Sequence, residues 1–177
     1  MQETLQQYRE QLAHCREVFI QKNSDYGTAW RILRPASLTD QIFIKAQRIR
    51  TIGEKGLQQI NDKLHDEWVG IANYCIMALI QLSLPPDAAI AIALPDAIAL
   101  YDAQAAEAEA LMQRKNHDYG EAWRDMRISS LNDLILMKIF RLKQIEDNCG
   151  KTIASEGLAA NYLDILNYAI FALIKMA

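Results

Sequence analysis

The chain has 177 residues, 51 % of them apolar and 23 % charged, which is enough for one sizeable core and too apolar for a disordered chain. Its net charge of −3 includes no Lys/Arg-rich block, which argues against double-stranded nucleic acid as the main ligand and leaves room for a small phosphorylated one. Cys15, Cys75 and Cys149 are odd in number and widely spaced, so they suit neither a disulfide framework nor a metal site and read as buried thiols of a reducing cytosol.

The first residues lack the charged start and apolar core of a signal peptide, and a soluble cytoplasmic protein is expected. A first helix follows from Leu5, Tyr8, Leu12, Cys15 and Phe19 on one face, with Gly27 suited to a left-handed stop. Ser37-Leu38-Thr39-Asp40 reads as a variant capping box. It predicts a second helix from Ser37 to about Ile52, with Gly53 and Gly56 in a loop. A strongly apolar third helix covers about 61–82 and stops at Pro85-Pro86. Its apolar run, Val69 to Leu84, is too short and too polar for a membrane span. A short apolar helix from Asp87 to Leu94 serves as connector. The plan then recurs: a long helix over about 96–115 with Pro95 at its entrance, then a cap at Ser130-Leu131-Asn132-Asp133 and a helix to about Asp147. Gly150 makes a break, and a last helix covers about 152–176. No strand is predicted.

One unit of roughly ninety residues is in fact written twice. Lys22-Asn23-Ser24-Asp25-Tyr26-Gly27-Thr28-Ala29-Trp30-Arg31 returns 93 positions later as Lys115-Asn116-His117-Asp118-Tyr119-Gly120-Glu121-Ala122-Trp123-Arg124, identical at eight of ten positions. Lys45 and Arg48 pair at the same offset with Lys138 and Arg141; after a one-residue slip, Asn73-Tyr74 pairs with Asn167-Tyr168. Residues 1–86 and 87–177 are the two repeats, joined through 83–95. A three-helix unit alone leaves an apolar face uncovered. The expected fold is therefore all-α, with six main helices as two tandem repeats packed about a pseudo-two-fold axis into one bundle.

Polar residues kept in both copies are the candidates for function. On the last helix Glu156, Asp164 and Asn167 fall within an arc of roughly 80°, and Asp62, Asp66 and Asn73 form a similar stripe on the third. Carboxylates so spaced and pointing into a bundle can hold a divalent cation; the other reading is a solvated face near a helix start. Lys45 with Arg48, and Lys138 with Arg141, stand three apart and could grip phosphate oxygens or neutralise the stripes. Asp25 and Asp118 sit at a helix-to-loop junction, where a turn role competes with a binding one. Trp30 and Trp123 read as core or as a flat face for a base, and Asp40 and Asp133 as caps.

Lys-Asn-x-Asp-Tyr-Gly-x-Ala-Trp-Arg, the second-helix Lys-x-x-Arg and the closing Asp-x-x-Asn-Tyr together resemble the nucleotide modification associated domain family, number one of that series. Through its phage members this family resembles, at a distance, the MazG-like all-α pyrophosphohydrolases, helical and usually oligomeric enzymes that cleave nucleoside triphosphates with magnesium. The resemblance implies Mg²⁺ held by Asp62, Asp66, Glu156 and Asp164, which would be the catalytic set. It also implies a nucleotide bound through Lys45, Arg48, Lys138, Arg141, Asp25, Asp118, Asn73 and Asn167, and a homo-oligomer. The family pattern Glu-x-x-x-Asp-x-x-x-Asp-x-x-Asn-Tyr is broken differently in each copy: Ala160 replaces the middle acid of the second, and Gly70 the last acid of the first. Two outcomes stay open: complementary halves of one composite site, giving a Mg-dependent (d)NTP pyrophosphohydrolase, or a non-catalytic helical accessory protein with degenerate sites. A third reading makes the stripes buried salt-bridge networks alone.

Overall fold

Six α-helices carry the chain in a computed structural model that describes residues 2–56, 63–154 and 156–177: α1 Gln2–Tyr26, α2 Pro35–Lys55, α3 Leu64–Ser83, α4 Leu94–Tyr119, α5 Ile128–Asp147 and α6 Leu158–Met176. A single 3-10 turn follows α1 at Ala29–Ile32 and α4 at Ala122–Asp125. The expected all-α arrangement of two interacting three-helix units, α1–α3 and α4–α6, is what forms. The glycine of the twin motif ends each first helix. Gly27 (φ +61) and Gly120 (φ +60) adopt the left-handed conformation and donate back to Asn23 O at 2.8 Å and Asn116 O at 3.0 Å.

Local boundaries differ from expectation in four places. Helix α2 begins at Pro35 and α5 at Ile128, with Arg34 and Arg127 as N-caps and no side-chain cap bond. Pro35 presets helical φ without needing an N–H partner, and the Arg127 carbonyl already accepts from Ser130 at 3.0 Å, so both serines lie inside the first turn. Helix α2 also runs through Gly53, and Gly56 (φ +65) is its stop. The connector 84–93 is not helical. Its backbone groups are taken by the motif instead: Thr28 Oγ1 donates to Ile90 O at 2.7 Å and accepts from Ile92 N–H at 3.0 Å, and Arg31 Nη2 donates to Ala88 O and Ala89 O at 3.1 and 3.2 Å. Helix α6 starts only after Gly157, so Glu156 precedes the helix on which it was placed. Of the thiols, Cys15 and Cys75 are buried, and burial pushes Cys15 up to about 12, but Cys149 is exposed on a left-handed turn at φ +55.

The helices stack in three layers, α1 with α4, α3 with α6, and α2 with α5. Helices α3 and α6 are buried almost all round, as a central pair must be. Helix α6 is long and apolar enough to cross a membrane, yet 72 % of that stretch is buried inside the protein, which is the pattern of a core helix. The outer layers carry paired bridges related by the pseudo-two-fold axis. Asp40 and Asp133, read as caps, instead face Lys143 at 2.7 Å and Arg50 at 3.9 Å across the α2/α5 seam. Across the α1/α4 seam Arg9 meets Glu109 and Arg16 meets Asp102, each at 2.7 Å.

Two of the buried hydrogen bonds between the central and first layers cross from one repeat to the other. Tyr8 of α1 donates to Asn167 Oδ1 of α6 at 2.6 Å, and Tyr101 of α4 donates to Asn73 Oδ1 of α3 at 2.8 Å. Each asparagine amide also donates to the first helix of its own repeat, Asn73 to Cys15 O at 3.0 Å and Asn167 to Ala108 O at 3.3 Å. Burial holds both phenols well above the usual tyrosine pKa, so they remain donors. Deleting either hydroxyl leaves a buried amide oxygen without its donor. Tyr8→Phe and Tyr101→Phe should each lower unfolding free energy by ~1–3 kcal/mol. Urea denaturation measures this, and unchanged midpoints for both variants would contradict the role given to these bonds.

Candidate functional site

In repeat 2 the residues single out Asp164. Helix α6 places it in the interior, 5 % exposed, where two lysines meet its carboxylate: Lys115 from the end of α4 on Oδ1, and Lys138 from α5 on Oδ2 at 2.6 Å. A carboxylate this buried must be paired, and here each oxygen has its own ammonium. Burial is the largest single influence on Lys115 and would lower its pKa, but the hydrogen bond to Asp164 and the surrounding negative charge, Asp164 first, together hold the lysine above its ordinary value. Tyr168, half-buried beside them, is raised mainly by burial, then by the Asp164 charge.

Repeat 1 has the same two lysines, Lys22 and Lys45, but Gly70 where Asp164 stands. The gap is filled by lysine. A Cβ on Gly70 would lie 2.5 Å from Lys45 Cε and 2.8 Å from Cδ, so the Lys45 stem crosses the place of the missing acid. Its ammonium turns to Glu67, one helical turn earlier on α3, bonding Oε2 at 3.1 Å, while Arg48 takes Glu67 Oε1. Lys22 is exposed and forms no ion pair among the described residues.

Each repeat borders its own cleft. The repeat-1 cleft, about 520 Å³, lies between α1, α2 and α3; Lys22, Lys45 and Asp66 line it with Tyr26, Tyr74 and Met77. The repeat-2 cleft, about 700 Å³, lies where α5 ends, and Lys138, Arg141 and Glu156 line it with Asn148, Lys151 and Asn161. Both volumes suit a small ligand.

The residues chosen from the sequence therefore separate by repeat. Asp164, Asp66 and Glu156 do not converge: Asp164 is enclosed by lysines, Asp66 is exposed with His65 Nδ1 at 3.6 Å, and Glu156 is exposed on the other cleft. Asp62 lies outside the described residues. Among those described, no three His, Cys, Asp or Glu side chains gather in one place. Asn73 and Asn167 use both amide ends in the interlayer bonds, and Asn73 also lines the repeat-1 cleft. Asp25 and Asp118 are exposed beyond the clefts, Asp118 beside His117 Nδ1 at 3.0 Å. Trp30 and Trp123 are core residues, Trp123 stacked on Phe171 at 4.3 Å between centroids. Sequence reasoning missed two groups. Lys22 and Lys115 stood in the twin motif and were passed over for the aspartates beside them. Glu67 has Asn161 as its counterpart, so comparing the copies discards it.

Removing the Asp164 carboxylate strands an ammonium, since the Lys138 side chain is only 9 % exposed. Asp164→Ala should cost ~3–5 kcal/mol of stability, whereas Asp66→Ala and Glu156→Ala should stay within ~0.5 kcal/mol. Denaturant titrations of the three variants test this ranking, and equal effects would refute it.

The chain matches the family Nucleotide modification associated domain 1 over residues 22–82 and again over 115–176. No curated protein and no solved structure matches the chain. The matched segments begin at Lys22 and Lys115 and take in both lysine pairs, Glu67 and Asp164. The chain belongs to the nucleotide modification associated domain 1 family, with the family's unit present twice.

Proposed function

We propose that the protein binds a nucleotide in the repeat-1 cleft and serves nucleotide or DNA modification through that binding. The observation that carries this reading is the lining of the cleft. Tyr26, Tyr74 and Met77 offer apolar and aromatic surface for a base, and Lys22 and Lys45 stand within the same 520 Å³ for phosphate. Tyr26 is 60 % exposed at the mouth, a cost in apolar exposure that a stacked base would remove. The twofold match to a family named for nucleotide modification supports the same ligand class.

Magnesium-dependent pyrophosphohydrolysis is the more specific form of this reading. The described residues fit it poorly: Asp164 is neutralised by two lysines, and Asp66 and Glu156 each stand alone at the rim of a different cleft. A magnesium ion can be held by one or two carboxylates with substrate phosphates and waters, but Asp164 already has an ammonium on each carboxylate oxygen. Binding without hydrolysis, as an accessory protein, is the form these ion pairs favour.

Calorimetric titration with the common and base-modified nucleoside mono- and triphosphates, with and without Mg²⁺, tests both forms. Binding is expected with either, with no pyrophosphate release from the triphosphates. Lys22→Ala removes a charge that supports no other contact among the described residues. It should weaken binding about tenfold or more while leaving the melting temperature unchanged. A full set of nucleotides that neither binds nor stabilises the protein would end the proposal.

A further inference from the structure

We infer that repeat 1 holds a phosphate group where repeat 2 holds its own Asp164 carboxylate, so that the chain has one open anion site and one that is internally filled. The inference deepens the nucleotide reading and rests on it for the identity of the ligand, but its geometry comes from comparing the two halves. Lys115 and Lys138 clamp the two oxygens of Asp164 from opposite helices. Their counterparts Lys22 and Lys45 border the repeat-1 cleft with no acid at position 70 between them. Gly70 is what makes room. The Lys45 stem lying across it is the far end of a flexible side chain, which can swing toward an incoming anion by giving up its resting contact with Glu67.

Glu67 explains how this arrangement is stable before ligand arrives. An ammonium deprived of its acid in a part-buried position needs another partner, and Lys45, 26 % exposed, takes Glu67 at 3.1 Å while Arg48 shares the same carboxylate. Lys45 also lies 5.9 Å above the Tyr74 ring, a second resting contact. Repeat 2 needs no such substitute: Asn161, at the position of Glu67, bonds Gly157 O at 2.9 Å instead. Among the described residues, the acid that lines the repeat-1 cleft is Asp66, which is exposed and faces His65 rather than the lysines. Two ammoniums flanking an opening suit a phosphate monoester or pyrophosphate better than a carboxylate, because the ligand brings more charge and more acceptor oxygens.

Exchange of the two residues tests the inference. Gly70→Asp writes the repeat-2 acid into repeat 1, and Asn161→Glu with Asp164→Gly writes the repeat-1 arrangement into repeat 2. Titrated with pyrophosphate and, separately, with a nucleoside monophosphate, the wild type should bind one equivalent, Gly70→Asp none, and the Asn161→Glu/Asp164→Gly variant two. Lys22→Glu, an exposed change that leaves the fold alone, should also abolish binding and decides the matter if either exchange fails to fold. Two equivalents on the wild type, or unchanged affinity in both Gly70→Asp and Lys22→Glu, would overturn the inference while leaving nucleotide binding in place. Pyrophosphate binding with this pattern but no nucleotide binding would keep the anion site and overturn the nucleotide reading. No binding of either overturns both.

Discussion

Asn73 and Asn167 sit at the centre of the bundle, and each one joins three helices from both repeats. Its oxygen takes a tyrosine hydroxyl from the first helix of the other repeat, and its amide gives to a carbonyl in the first helix of its own. Such groups are buried safely only if the opposite half of the molecule is in place. The same dependence holds for apolar surface, since α3 and α6 are covered nearly all round and bury their largest shared face on each other. The motif arginines extend it to the edges. Arg31 holds the connector that leads into repeat 2, and Arg124 holds Gln7 near the start of repeat 1 at 2.8 Å. Each half completes the other, and everything about the clefts is built on that frame.

The two outer seams show what duplication within one chain permits. Across α2/α5 the pairs are Asp40–Lys143 and Asp133–Arg50, the same sign pattern in both copies, as in the contact of two identical subunits. Across α1/α4 the pattern has diverged. Positions 9 and 16 are both arginine in repeat 1, and their counterparts 102 and 109 are both acidic. Two copies of repeat 1 packed this way would set arginine against arginine, and two copies of repeat 2 acid against acid. Exposed bridges of this kind add little stability, roughly 0–1 kcal/mol each. Their effect is on partner choice: only unlike repeats match.

Helix number, order and the pseudo-two-fold relation were legible because periodicity and the 93-residue offset both report on the core, where burial dictates residue type. Boundaries were less so. Ser37 and Ser130 have the composition of caps, but Pro35 and the Arg127 carbonyl start their helices two residues earlier, and side-chain pattern does not encode that. The stripe Glu156–Asp164–Asn167 failed for the same reason, because the helix begins only after Gly157 and angular arithmetic applies only within a helix. At the clefts, comparing copies picked out the lysine and arginine pairs and the asparagines alike. Identity between copies records any shared constraint, and a bond needed for the fold is kept as firmly as one needed for a ligand. Glu67 shows the converse: it matters in repeat 1 because repeat 2 lacks it.

That difference has a physical logic. In the interior, two ammoniums facing one space cannot both go unpaired, so with no acid at position 70 they need another carboxylate or exposure. Repeat 1 uses both: Glu67 neutralises Lys45 and Arg48 from one turn away, and Lys22 goes to solvent. The substitution moves negative charge out of the space between the lysines without removing it from the repeat. A cleft then opens on a cationic wall, while the equivalent wall in repeat 2 stays closed on Asp164 and ties α4, α5 and α6 together. Once one half supplies this internal anchor, the other can give up its own without unfolding the shared core. Duplication separates the two demands that a single unit would have to meet with one carboxylate.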